Sequence, residues 1–207
     1  MCSTCRDRSP TVPRMTAEAS HEKGRVGVYD VKAWLEATTY FTFSWDAYEF
    51  TEQCTRKRLD GELKRYDLRG RFIGQGSVEV FVEAKTYDVV GNQGKDFKEF
   101  LVNAYSTTAH EIEERGGDPG AEFMWVTTHP FSQGDWPKLT SRAYLETAIN
   151  EAVAANANCL GGKDPDPELV IAVAKRLWLL VRHQRQNEVS LTKEELFKIY
   201  PQLGRYP

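Results

Sequence analysis

The chain has 207 residues, 41% hydrophobic and 28% charged, with a formal net charge of -3 at pH 7. That suits one full core with appendages and excludes both a charged disordered tail and a uniformly polybasic nucleic-acid coat, so any nucleic-acid contact must rest on a local patch. Apolar runs are short and no basic start leads into an apolar signal, so a cytoplasmic protein with no membrane partner is expected.

Residues 1–23 contain Pro10, Pro13, Thr16 and Ser20 with few large apolar anchors and read as a flexible leader. Cys2 and Cys5 form a CxxC pair, but Cys54 and Cys159 lack that spacing and no neighbouring histidine completes a finger, which favours a frayed terminus over a metal site. A core domain over 24–160 follows, then a helical extension over 161–207 that packs on the core or on a partner.

Asp30, Val31, Trp34 and Leu35 suggest a short helix or an irregular lead-in, and the TTYFTF stretch after it is β-prone. Ser44 can cap a helix over 45–59, which Asp60-Gly61 breaks. A strand is expected over 62–68, a turn or widened hairpin over 70–76, and a second strand over 78–86. Along that second strand Val78, Val80, Val82 and Ala84 alternate with Glu79, Phe81, Glu83 and Lys85, so one face reads as core and the other as a charged surface.

Phe97, Leu101, Ala104, Thr108 and Ile112 recur at helical spacing until Gly116-Gly117 ends the element. A third strand over 121–128 turns Phe123, Trp125 and Thr127 to one side and Met124 and Val126 to the other. A helix over 141–156 comes next. Pro167 suits the first turn of another over 169–185, with Lys175, Arg176, Arg182, His183 and Arg185 around Leu177, Leu179 and Leu180. Thr192 and Glu195 make a candidate capping box for a last short helix. This order implies an α/β sandwich around a mixed sheet.

Glu83 and Lys85 stand two residues apart on a strand and turn to the same face. A carboxylate offers hard oxygen ligands for Mg²⁺, and a neighbouring ammonium can orient an attacking water and neutralise charge on a phosphate. Asp67, at the close of the preceding strand, can bring a second carboxylate beside Glu83, with the carbonyl of Ala84 and waters completing the shell. The plainer reading is a set of cross-strand charge pairs on a half-buried sheet.

The stretch YDLRG followed by VEVFVEAKTY resembles the PD-(D/E)xK nuclease superfamily. The resemblance implies a restriction-endonuclease-like three-layer sandwich with a mixed central sheet, here with a helical C-terminal extension. In that family an acid on one strand is followed, after a hairpin, by an acid-x-lysine strand and a helix. Asp67 matches the first acid, Glu83 the second and Lys85 the lysine, while Tyr66 stands where the family name records proline. Many members carry a glutamate on the preceding helix, and Glu49 and Glu52 both fall in the matching segment. The implied activity is Mg²⁺-dependent hydrolysis of phosphodiester bonds in DNA, with Mn²⁺ as a substitute, in a nuclease module of defence or repair. Two alternatives stand beside it: a non-catalytic nucleic-acid-binding or assembly protein with a nuclease-like fold, and an RNA or tRNA endonuclease.

Arg56, Lys57, Arg58, Lys64, Arg65, Arg69 and Arg71 form a basic excess around Asp67 where a phosphate backbone could lie; the competing reading is a solvated helix end and hairpin. Glu79, about 13 Å from Glu83 by strand rise, suits solubility better than a second ion. His110 and His129 read as surface or loop residues. With no base-reading motif in the chain, specificity would come from loops or from another subunit, either a second copy or a different protein.

Overall fold

The computed structural model describes residues 17–73, 78–86, 91–155, 158–183, 185–186 and 191–203. The Cys2–Cys5 pair, most of the expected leader and part of the expected hairpin turn lie outside the described residues.

Val28, Val31 and Leu35 repeat at helical spacing, and they form the buried stripe of α1 (Ala17–Thr38). A full helix thus replaces the expected short one, and it takes in residues 17–23. Phe41 and Phe43 alternate inward along β1 (Phe41–Asp46). The expected helix over 45–59 is not present. The Asp46 carboxylate accepts from the N–H groups of Tyr48 and Glu49, both at 3.0 Å, and so fixes a turn that competes with helix propagation. The chain then enters a small two-stranded ribbon of β2 (Thr55–Lys57) and β3 (Leu63–Arg65), with Thr55 opposite Arg65 and Lys57 opposite Leu63.

The strand expected over 62–68 divides at Tyr66-Asp67, and β4 (Leu68–Phe72) pairs antiparallel with both β1 and β5 (Glu79–Lys85). Asp67 therefore leads into a strand instead of closing one. Antiparallel pairing sets the start of β4 beside the end of β5, and Asp67 N–H donates to the Val82 carbonyl at 2.9 Å. Gly70 is required in β4, because a Cβ there would meet the Thr42 carbonyl and Phe43 where β1 makes a register shift.

α2 (Gln93–Arg115) follows β5 and ends on Gly116, whose left-handed φ of 76° lets its N–H bond the Ile112 carbonyl. β6 (Glu122–Thr127) pairs parallel with β5. Ser141 caps α3 (Arg142–Ala154), and Asp166 caps α4 (Pro167–Ala174), which has proline in its first turn.

The helix expected over 169–185 stops at Ala174. Leu177–Val181 is a strand, β7, parallel to β6. Five consecutive large apolar residues leave no polar face for a surface helix and suit a strand in a covered sheet. α5 (Lys193–Ile199) begins with the expected Thr192–Glu195 capping box.

The main sheet is mixed, in the order β1-β4-β5-β6-β7. α1 covers one face over Phe43, Leu68, Val80, Val82, Met124 and Val126. The helices α2, α3 and α4 cover the other over Phe81, Phe123 and Trp125. The supposedly charged face of β5 is thus interior: Phe81 is 1% exposed and Glu83 only 7%. The result is an α/β sandwich, with α5 as a C-terminal helix beyond the sheet. Among the described residues no helix is long and apolar enough to cross a membrane.

Candidate functional site

The start of β4 and the end of β5 bring Asp67, Glu83 and Lys85 together. Asp67 Oδ2 accepts from the Ala84 N–H at 2.8 Å. Glu83 sits between two ammonium groups, with Lys85 Nζ 2.8 Å from Oε1 and Lys64 Nζ 2.9 Å from Oε2. Aromatic faces complete the lysine surroundings: Lys64 lies 5.3 Å from the Tyr66 ring centre and Lys85 5.6 Å from that of Trp125. Tyr66, in the proline position of the resemblance, is a fully buried core residue whose ring packs on Phe81 and Phe123.

The two acids are held in opposite protonation tendencies. Burial, followed by the nearby Glu83 charge, pushes the Asp67 carboxyl up to about 6, against the opposing pull of the Ala84 N–H and of Lys85 and Lys64. Burial also works against ionised Glu83, but Lys64 and Lys85 outweigh it and hold that carboxyl below its ordinary value. Lys85 is raised, because Glu83 outweighs its own desolvation. Asp67 opens, with Tyr48, Thr51 and Arg65, on a cleft of about 290 Å³, while Glu83 and Lys85 line a different one of about 200 Å³.

The other expected acids lie elsewhere. Glu49 is exposed and accepts from the Tyr29 hydroxyl at 2.9 Å; Glu52 is exposed in the turn before β2. Neither stands on a helix.

The basic run divides by strand face. Arg56 points inward, pairing with Glu79 at 2.7 Å and Glu111 at 3.2 Å above the Phe81 ring. Arg69 joins Glu79 and the Trp45 ring, Arg58 joins Asp60, and Lys64 joins Glu83. Glu79 is thus a structural counter-ion to two arginines. Lys57, Arg65 and Arg71 are exposed and have no ion pair among the described residues. Glu111 was not singled out from sequence, because its partner Arg56 is far from it in the chain. His110 pairs with Glu114 one helical turn away, and His129 forms main-chain hydrogen bonds after β6.

Neither a protein-family model nor a curated protein matches this chain. A solved structure described as the Moraxella osloensis Cap4 SAVED/CARF-domain containing receptor overlaps 88% of this chain and 36% of its own, at 10% identity and a TM-score of 0.35. That overlap is too loose to carry a fold or a function across, and this chain spans little more than a third of that protein's length.

The expectation of a Mg²⁺-dependent nuclease is corrected by the donor set. Among the described residues no group of three or more His, Cys, Asp or Glu side chains could hold a metal ion. The two acids are already engaged, Glu83 by two lysines and Asp67 by a main-chain N–H. The hydrolytic roles expected of Asp67, Glu83 and Lys85 go with this correction, and so does the RNA or tRNA endonuclease alternative. What the arrangement does is close a nearly neutral, buried charge network at the junction of β3, β4 and β5.

Proposed function

We propose that this chain is a non-catalytic nucleic-acid-binding protein on a restriction-endonuclease-like sandwich, and that it contacts a phosphate backbone, DNA by preference, through the outer face of the β2–β3 ribbon. The single observation that carries this reading is the sorting of charge on that ribbon. Arg56 and Lys64 face inward and are neutralised by Glu79, Glu111 and Glu83, whereas Lys57 and Arg65 face outward without ion pairs among the described residues. Leu63, opposite Lys57 in register, is 70% exposed. Unpaired cations on a short projecting ribbon hold a polyanion in place without reading its bases. The fold assignment is supported by the order of α1, an antiparallel β1-β4-β5 unit, α2 and the parallel strand β6.

The test is fluorescence anisotropy with labelled duplex DNA, single-stranded DNA and RNA over a salt series, with each ligand then incubated with millimolar Mg²⁺ or Mn²⁺. The expected result is salt-sensitive binding, weakened at least tenfold in Lys57→Glu/Arg65→Glu, with every ligand recovered intact. No binding at low salt, equal binding by the variant, or metal-dependent cleavage would each overturn the proposal.

A further inference from the structure

A larger cleft of about 450 Å³ lies between α2 and α3, with Arg58, Asn158 and Cys159 also in its lining. Its volume is within the range of small-molecule sites. Val102, Ala148, Ala152 and Cys159 give it apolar walls, and Lys95, Lys98, Glu99 and Glu151 stand around them. The cleft is tied together from beneath: Ser106 Oγ accepts from the Leu59 N–H at 3.0 Å and donates to the Cys159 carbonyl at 2.5 Å, fastening both loop walls to α2.

The polar groups divide into spent and unspent. Lys98 is held by both oxygens of Glu151, at 2.8 and 2.7 Å, and Arg58 is held by Asp60. Lys95 and Glu99 are exposed, four residues apart on α2, and have no partner among the described residues. Asn103 is 2% exposed, and its carbonyl oxygen accepts from Arg58 Nη1 at 3.1 Å, which orients the amide nitrogen as a remaining donor.

An extended polyanion would meet the Glu99 and Glu151 carboxylates and be repelled. A compact ligand with one anionic end, a hydroxylated middle and a flat apolar body meets a matching group at each part. The free Lys95 ammonium suits a phosphate. The free Glu99 carboxylate suits a ribose diol, the role an acid plays at other nucleotide sites. The apolar wall and the Asn103 amide suit a base by its face and its edge.

We propose that this cleft binds a nucleoside monophosphate, with Lys95 on the phosphate, Glu99 on the ribose hydroxyls and the Val102–Ala152 wall against the base. The ligand contacts assigned here lie on α2 and α3, and Arg58, from the turn of the β2–β3 ribbon, is held by Asp60, so nucleotide binding is tested independently of Lys57 and Arg65.

Isothermal titration of the full chain with AMP, GMP, CMP and UMP tests it, beside adenosine, 2′,3′-dideoxy-AMP and inorganic phosphate. At least one monophosphate should bind at one site. Lys95→Ala should weaken it about tenfold, the equivalent of one charge-assisted hydrogen bond, without changing the weaker binding of adenosine. Glu99→Ala should remove the advantage of the ribonucleotide over its dideoxy form, and Ala152→Phe should abolish binding by filling the cleft. Lys95 and Glu99 are exposed, so those variants keep the test valid if Ala152→Phe fails to fold. No heat with any monophosphate, inorganic phosphate binding as tightly as AMP, or affinities unchanged by Lys95→Ala and Glu99→Ala would each overturn the assignment.

Discussion

Asp67→Asn should stabilise the protein at neutral pH. The Asp67 carboxyl, pushed up to about 6 from an ordinary 3.8, is harder to ionise in the folded chain than in the unfolded one. The folded state therefore binds more protons between those values, and stability falls as pH rises through that window. At about 1.4 kcal/mol per pH unit, the ionised group costs the folded state up to about 3 kcal/mol at neutral pH. An asparagine never ionises, and its side-chain oxygen can still accept from the Ala84 N–H that Asp67 binds at 2.8 Å. Urea unfolding of wild type and variant from pH 4 to pH 8 measures the difference directly. The variant should match wild type near pH 4 and gain stability progressively to pH 7, by about 1–3 kcal/mol. A variant less stable at neutral pH, or a difference that does not vary with pH, would show that the ionised carboxylate is satisfied in the fold and refute the reasoning.

The remaining expectations concern charge and packing. Arg56→Ala should lose about 3 kcal/mol in chemical denaturation, because it leaves the buried Glu111 carboxylate only the longer contact to exposed Arg115 at 3.7 Å; a loss within about 0.5 kcal/mol would mark the pair as an ordinary surface one. Lys57→Ala, on the other face of the ribbon, should change stability by no more than about 0.5 kcal/mol. In Lys57→Glu/Arg65→Glu the slope of log affinity against log salt should fall by about 2, one for each phosphate no longer neutralised. Leu35→Ala, at a fully buried position of α1, should cost about 3 kcal/mol. A near-neutral result there would mean that α1 does not cover the sheet in solution.

Period and capping were legible where they acted alone. Phe97 to Ile112 with Gly116 defined α2, Thr192 with Glu195 defined the start of α5, and the alternation of β6 assigned Phe123 and Trp125 to one face and Met124 and Val126 to the other, as their two clusters show. Failures came where a tertiary partner decided the outcome. The Leu177–Val181 run is compatible with a buried helix or a buried strand by sequence, and the free edge of β6 made it a strand. The 45–59 segment had a plausible cap at Ser44, yet Asp46 took the main-chain donors of a turn and the chain went on to the ribbon. The charged side of β5 looked solvated because α2, which buries it, lies further along the chain.

The same limit governs the site. Spacing correctly placed Asp67, Glu83 and Lys85 near one another, since two residues along a strand and an antiparallel neighbour leave little freedom. It gave no means of seeing that Lys64 would reach Glu83 from β3, or that Glu79 and Glu111 would close on Arg56 from β5 and α2. Buried charges persist only with partners, so a basic run beside a sheet must be divided by strand face before any of it is assigned to a ligand. On β2 and β3 that division is strict. Residues of one parity neutralise interior carboxylates, and those of the other, Lys57 and Arg65, are the cations left without ion pairs among the described residues.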